Sequence, residues 1–530
     1  MRYLHVNKYL PNESGKCGEL QPAPRPHTKT GKVCSCKRRQ QENSFIVAKP
    51  SKPSRFSCNP GALLLLPPSL VRAGALLQHF YLLAFCRVFG MSRAPLRVAI
   101  IGSGISGLAV AHTLHGLAEV TLFEAGDYFG GHTHTVDITL PTPQGPIRHG
   151  VDTGFLVFNE RNYPHLINLF AELGVETAQS DMSFSVKVPD ALQGRGLEWS
   201  GCSLNSVFAQ RGNLTNWKFL RMLGDIVRFN RIATRLAESG ADAAMMQPLG
   251  DFLRTKKFSD EFRDWYFLPM MGCIWSCPTD QMLQFPVATM IRFCHNHGLI
   301  QITDRPQWWT VKDGARHYVE KIIARIGDKR LNTPVRLIER DDQGVRVITD
   351  GRAERFDKVV LAAHSDQSLA LLRDASPAER EALGAIRYQP NRAVLHTDAS
   401  VLPQRKRAWA AWNYERAQEA GHESAQELTR VCLHYLLNRL QPLPFKQPVV
   451  VSLNPVREIA RNHIMGEFDY RHPVFDMAAI RAQKDVAAMQ GQQHSYFCGA
   501  WTGYGFHEDG LKSGLLVARL LLQAQAKAAA

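Results

Sequence analysis

Leu96-Arg97-Val98-Ala99-Ile100-Ile101-Gly102-Ser103-Gly104-Ile105-Ser106-Gly107 is the stretch that decides the fold. Its first half is an unbroken apolar, β-branched run of the kind buried in the middle of a parallel sheet. Three glycines follow at G-x-G-x-x-G spacing, and Leu108–Leu117 continues with helical periodicity, so the glycines sit on a strand–turn–helix corner. Gly102 permits the tight turn, and Gly104 lets backbone amides approach a pyrophosphate at the helix N-terminus. Gly107 lets helix and strand pack closely. Ser103, Ile105 and Ser106 share the turn and complete the first cofactor-binding group. A second strand, Glu119–Phe123, ends at Glu124, 17 residues beyond Gly107. A carboxylate there can accept both ribose hydroxyls of an adenosine and repels a 2′-phosphate.

The chain around this stretch has 530 residues, too many for one core and enough for about three domains at roughly 150 residues each. Apolar residues at 45% and charged residues at 21% are ordinary globular usage, which excludes wholesale disorder. No unbroken apolar run reaches roughly 18 residues, which excludes a polytopic membrane protein. The net charge of +15 is unevenly spread. Residues 1–90 hold 14 Lys/Arg against 3 Asp/Glu, and the remaining 440 hold 49 against 45. The basic character belongs to the N-terminal stretch, and a nucleic-acid partner is not expected. That stretch is repeatedly broken by proline, and its apolar part, Ala73–Cys86, is too short to span a bilayer. The expectation is a disordered extension or a mis-assigned start over residues 1–90, with the natural start at Met91; an organelle presequence is the alternative. Six dispersed cysteines in the body (Cys202, Cys273, Cys277, Cys294, Cys432 and Cys498) fit a reducing, cytoplasmic setting. Cys273 and Cys277 lack C-x-x-C spacing and read as structural.

The residues after Glu124 separate FAD from NAD. Gly130-Gly131-His132-Thr133 and then Val151-Asp152-Thr153-Gly154 follow the second strand. Paired glycines there let the chain pass close over a pyrophosphate and a flavin ribityl, where an NAD-only dehydrogenase would enter a helix. These motifs resemble the flavin amine oxidase and phytoene desaturase superfamily, in which the corresponding motif is usually Gly-Gly-Arg. Here His132 replaces the arginine. The resemblance continues through Trp309–Ala315, where Asp313 replaces a usual glycine, and through the strand-like segments Val335–Glu339 and Val345–Thr349. It implies that Val335 touches the adenine side and that Phe356–Ala362 closes the FAD domain. Near the C-terminus, Tyr496–Ala500 and Gly503–Leu511 complete the pattern. They imply that Gly499, Glu508, Asp509, Gly510 and Leu511 join the cofactor site at the start of a helix. Acidic residues suit that helix end, and its N-terminus would stabilise negative charge on a reduced flavin.

More narrowly, Ala288–Gln301, Arg305–Trp309 and Gly505–Asp509 resemble a bacterial branch described as predicted NAD/FAD-binding, amine-oxidase-like proteins. Their genes often accompany lipid methyltransferases, which implies lipid chemistry and a lipid methyltransferase partner.

The fold class expected is α/β: an interrupted Rossmann-like FAD-binding domain (91–165, 301–375 and 491–525) with an inserted α+β substrate domain (166–300 and 376–490). Leu214–Leu236 is an amphipathic helix whose basic face (Lys218, Arg221, Arg228, Arg231, Arg235) is either solvated or a peripheral contact with an anionic membrane. A second G-x-G-x-x-G and a C-x₄-C are both absent. Metal-ligand spacing is absent as well, because His295 and His297 fall two apart on a helix. A flavin takes hydride readily from carbon activated by nitrogen, carbonyl or alkene. The leading expectation is therefore FAD-dependent dehydrogenation or desaturation of a hydrophobic, fatty-acyl type of substrate. Amine oxidation and a non-catalytic partnership with a lipid methyltransferase are the alternatives. His507 is the candidate proton acceptor beside the flavin, and Phe506 falls where amine oxidases place a cage aromatic.

Overall fold

The computed structural model describes residues 95–529, apart from 240–246, 277, 301–304 and 417–430. The expectations for residues 1–90 and for Cys277 lie outside the described residues.

Five strands form one parallel sheet: β1 (Arg97–Ile101), β2 (Glu119–Phe123), β3 (Asp328–Arg330), β4 (Lys358–Leu361) and β5 (Ser495–Phe497). Their spatial order is β3-β2-β1-β4-β5. Val98, Ala99 and Ile100 are fully buried, so both faces of β1 are covered, as its unbroken apolar run requires. The chain leaves this sheet after β2 and again after β4, and each return adds a strand beside one already present. The α/β class and the interruption of the Rossmann-like sheet follow directly.

One implied position is corrected. The segment Phe356–Ala362 does not close the sheet. Lys358–Leu361 is an inner strand, paired with β1 on one side and β5 on the other. Val359, Val360 and Leu361 are buried on both faces, which an edge position would not provide. Phe356 ends a different strand, in the antiparallel meander Val335–Asp341, Gly344–Thr349, Arg352–Phe356.

Helix α1 (Ile105–Leu114) follows the glycine turn, and α2 (Pro164–Leu173), α3 (Trp217–Ser239) and α4 (Val287–Asn296) belong to the first excursion. The last helix, α5 (His507–Ala529), lies on α1 at glycine distance. A Cβ on Gly510 would fall 2.7 Å from Ile105 Cγ2, and one on Gly514 would fall 2.3 Å from the Ser106 carbonyl.

Both excursions contribute to a single seven-stranded mixed sheet. It runs Ile464–Pro473, Tyr388–His396, Val450–Leu453, Cys432–Leu436, Trp412–Glu415, Phe184–Val188, Leu197–Ser200. Side chains alternate across it. Trp412, Tyr435 and Leu453 reach the cavity described below, while Asn413, Glu415, His434 and Ser452 project from the other face. Among the described residues, no helix is long and apolar enough to cross a membrane.

Candidate active site

The C-terminal ends of β1 and β2 open on a cavity of about 680 Å³, within the roughly 300–1,000 Å³ usual for ligand sites. Each glycine at its floor has a separate reason. Gly102 has φ +103° and would place a Cβ 2.8 Å from the Ala362 carbonyl oxygen. A Cβ on Gly107 would fall 2.0 Å from the Gly102 carbonyl, so that glycine serves the fit of α1 onto β1. Gly104 differs: its φ is −61°, and nothing lies within 4 Å of a Cβ built there. A side chain at Gly104 is tolerated by the protein and would occupy cavity. Gly131, at φ +58°, passes close by: a Cβ built on it would fall 3.1 Å from the Gly104 Cα.

Ser103 knots these turns together. Its N–H and Oγ–H donate to Glu124 Oε2 at 2.9 and 2.6 Å, and its Oγ accepts from the Gly130 N–H at 3.1 Å. The Gly126 N–H donates to Glu124 Oε1 at 2.8 Å. Three of about four carboxylate acceptor sites are thus filled, and Glu124 as it stands offers one site to a ribose rather than two.

Five histidines line the same cavity: His132, His297, His364, His472 and His507. Burial lowers the pKa of all of them, with neighbouring imidazoles adding to the effect for His364, His472 and His507. His297 and His364 fall to about 4, and His472 and His507 to about 3. His132 lies 5.6 Å from His472 and 5.1 Å from Tyr470, ring to ring. Its Nε2 and the Nδ1 of His364 are buried without a hydrogen-bond partner. Buried polar atoms seldom stay unpaired, so these two invite a ligand's polar groups. The residues present fit FAD: open space at Gly104 for a pyrophosphate, a carboxylate at the end of β2 for the ribose, and unpartnered imidazole nitrogens beside them. Bound there, FAD would supply a hydride acceptor.

The sequence-predicted residues divide. Gly102, Ser103, Gly104, Ile105, Ser106, Glu124, Gly130, Gly131, His132, Val335, Gly499, Phe506 and His507 all line the cavity. Gly107, Thr133, Glu508, Asp509, Gly510 and Leu511 do not. The carboxylate of Glu508 is committed to α2: Oε1 accepts from the N–H and Nδ1 of His165 at 2.9 and 2.7 Å, and Oε2 from the Leu166 N–H at 3.0 Å. It caps a neighbouring helix rather than its own. Asp509 Oδ2 accepts from the backbone N–H groups of Tyr504 and Phe506, and burial pushes its pKa up to about 6. Gly510 and the buried Leu511 are packing positions in α5.

The two catalytic candidates are also redefined. His507 lies flat on Phe155, rings 3.9 Å apart, with Nε2 2.8 Å from the Tyr318 hydroxyl. Thr133 Oγ1 shares that hydroxyl. A pKa near 3 keeps the imidazole neutral and makes it a weak general base at neutral pH. Phe506 stacks one face on Phe293, at 4.9 Å and 20°, and lines the cavity as part of that aromatic cluster.

Other functional side chains escaped the sequence. Phe155, Leu156 and Val157 follow directly on the Val151–Gly154 motif, which was the available signal. Trp412, Tyr435, Leu453, Tyr470 and His472 come from the seven-stranded sheet, with no local motif. Asp152, within that motif, is structural. It accepts from the Ala315 N–H at 2.9 Å and Gln441 Nε2 at 2.7 Å, and burial pushes its pKa up to about 6. It clasps the turn where Asp313, at φ +62°, takes the left-handed conformation that the resemblance assigns to glycine.

On the far face of the seven-stranded sheet, Glu415, Cys432 and His434 bring an oxygen, a sulfur and a nitrogen within 4.8 Å of one another. Lys187 Nζ lies 2.7 Å from Glu415 Oε1 and supplies the positive charge a cation would bring. Burial raises the Cys432 pKa, so the sulfur stays a thiol. The string continues from His434 Nδ1 through Ser452 Oγ to His396 Nε2, 2.7 Å at each step. It reads as a self-satisfied buried network.

Comparison with known proteins agrees with the cavity. The sequence model for flavin containing amine oxidoreductases matches residues 105–397, more than half of the chain. Similar solved structures include cyclohexylamine oxidase from Brevibacterium oxydans IH-35A, 18% identical with a TM-score of 0.57, covering 82% of this chain and 100% of that one. The CLA-producing fatty acid isomerase from P. acnes is also 18% identical, with a TM-score of 0.55 and coverage of 80% and 98%. Putrescine oxidase bound to putrescine is 16% identical, with a TM-score of 0.56 and coverage of 81% and 100%. Likeness at these identities speaks for the fold. No curated protein matches the sequence. With the family match covering more than half of the chain, including Glu124, the Gly130-Gly131 pair, His132, His297 and His364 of the cavity, the chain belongs to the flavin containing amine oxidoreductases and is a FAD-dependent oxidoreductase.

Proposed function

We propose that the chain dehydrogenates a hydrophobic acyl substrate, introducing a double bond beside carbon activated by a carbonyl or an alkene. The observation that carries this reading is the lining opposite the glycine turns. Leu156, Val157, Met182, Ile274, Leu299, Trp412 and Leu453 are apolar or aromatic. Among the described lining residues, Glu124 is the single carboxylate, and it stands at the nucleotide end. An ammonium group would find no counter-charge beside the apolar wall, and Phe506 is already stacked. An acyl chain gains free energy from every methylene it buries there, about 0.8 kcal/mol each. The fold itself admits both chemistries, since its solved examples include a fatty acid isomerase and amine oxidases. The choice therefore rests on this chain's own lining.

The test is anaerobic mixing of the yellow holoprotein with fatty acids, acyl thioesters and phospholipids, and separately with primary and secondary amines. Loss of the flavin's visible absorbance with an acyl compound, and an unsaturated product, supports the proposal. Bleaching by amines alone assigns the chain to amine oxidation instead.

A further inference from the structure

Among the described residues, large apolar side chains exposed to solvent are few, and they are not scattered. Leu204 (45% exposed), Leu214 (53%), Trp217 (73%), Leu220 (39%) and Val227 (43%) fall within two dozen residues of sequence, and Leu516 is the sole other case. The reason lies in the helical period of α3. Phe219, Met222, Ile226, Phe229 and Ala233 are its buried stripe. Trp217, Leu220, Gly224 and Val227, spaced three, four and three, form a second apolar stripe that faces out. Nothing lies within 4 Å of a Cβ on Gly224, so this stripe is open along its length.

Charge on this face is predominantly positive. Residues 204–237 contain Arg211, Lys218, Arg221, Arg228, Arg231 and Arg235 against the single carboxylate of Asp225. That carboxylate is turned inward, accepting from the N–H and Oγ–H of Ser259 and pairing with Arg228. The segment's net charge of +5 exceeds the net +4 of the whole chain beyond residue 90. Positive charge is thus concentrated around the largest exposed apolar stripe among the described residues, with Glu238 following near the end of α3.

We infer that this face docks on an anionic lipid bilayer. Trp217, Leu214 and Leu220 enter the interface, and Lys218, Arg221, Arg231 and Arg235 pair with headgroup phosphates. A tryptophan and leucines at one end of a helix, rimmed by cations that outnumber the Glu261 carboxylate 3.8 Å from Lys218, match the chemistry of interfacial anchoring. The stripe lies along the solvent-facing side of α3, which suits a planar, fluid surface. Helix α3 packs on α4, and α4 supplies Phe293 to the cavity wall. The docked face is thus one helix away from the cavity. The docking stands on the patch alone; that it delivers an acyl substrate rests on the function proposed above.

The experiment is co-sedimentation of the full-length holoprotein with vesicles of phosphatidylcholine alone, and with vesicles of equal parts phosphatidylcholine and phosphatidylglycerol. Binding is expected to the anionic vesicles only, falling with added salt. Trp217→Ser should weaken it about tenfold, and Lys218→Glu with Arg221→Glu further, at roughly fivefold per cation removed. All of these positions are exposed, so flavin content and melting temperature should stay at the wild-type values. Failure of the wild type to bind anionic vesicles overturns the inference, as does binding that survives both substitutions. A wild-type dimer that Trp217→Ser converts to monomer also overturns it and gives the face to a second copy. Bleaching by acyl compounds in detergent micelles is unaffected by any of these results, so the docking and the chemistry fail separately.

Discussion

The two walls of the cavity hold it by opposite means. The nucleotide wall is backbone: Gly102, Gly104, Gly130 and Gly131 bring main chain to within contact distance of main chain, and one serine and one carboxylate tie the turns together. The roof is side chain: Trp412, Tyr435, Leu453 and Tyr470 stand on a sheet braced from behind by the string from Lys187 to His396. A backbone wall admits almost no substitution and suits an invariant cofactor. A side-chain wall can be rewritten residue by residue and suits a particular substrate.

The largest expected effect breaks the nucleotide wall in two different ways. Gly107→Val forces a side chain onto the Gly102 carbonyl and should cost at least about 4 kcal/mol, enough to prevent folding. Gly104→Val meets nothing in the protein, so it should fold with a near-native melting temperature and contain no flavin. Circular dichroism and absorbance of the two purified variants distinguish these outcomes. A yellow Gly104→Val protein would show that the pyrophosphate lies elsewhere.

The roof should be more forgiving, and its brace is the place to measure how much. Lys187→Met leaves the Glu415 carboxylate buried without its cation and should lose about 3–5 kcal/mol at neutral pH by denaturant titration. Lys187→Met combined with Glu415→Gln should recover part of that loss. Burial alone would raise the Glu415 pKa, but hydrogen bonding to His434 and the charge of Lys187 hold it to about 2. Its contribution is therefore present above about pH 4.5 and lost as pH falls toward 2. Glu415→Gln should flatten the stability profile across that window. An unchanged profile would remove the brace from the account.

This contrast also explains what the sequence could disclose. Residues 96–107, Glu124 and the glycine pair were legible because the backbone geometry they permit is rare and their spacing is short. Glu508 and Asp509 were misplaced for a related reason. Acidic residues at a helix start look alike whether they face a ligand, cap their own turn or cap a neighbour, and α2 lies more than 300 residues away in sequence. The roof carried no signal because its strands sit side by side out of chain order, and a cavity residue such as Tyr435 is spaced like any buried strand residue. The three histidines at 132, 364 and 472 meet only after both excursions close.

A smaller effect tests the cavity as a whole. Its five histidines are neutral when folded and ordinary when unfolded, so the unfolded chain binds more protons between about pH 6.5 and 3. Their stabilising contribution is complete above 6.5 and lost as pH falls through the folded values. The melting temperature of flavin-free protein should decline across this window, starting before the Glu415 window begins. His364→Gln with His472→Gln should make the decline shallower. A decline confined to below pH 4.5 would mean that the cavity histidines are not held neutral.

The smallest expected effect concerns His507 and settles whether it acts by charge or by position. A general base normally contributes about 10²–10⁴-fold and works best with a pKa near the operating pH. His507 is held at about 3, with Nε2 engaged by Tyr318 and its ring flat on Phe155. A group so placed holds its neighbours in register and stores no proton at pH 7. His507→Gln keeps a hydrogen-bonding partner for Tyr318 and should lower flavin reduction by less than about tenfold, with the pH dependence unchanged through the neutral range. Tyr318→Phe should produce a similar, small change, because it removes the other end of the same contact. A loss of a thousandfold in His507→Gln, together with disappearance of an ionisation from the rate profile, would restore His507 as the base. It would also mean that the bound cofactor reverses the burial that now keeps the imidazole neutral.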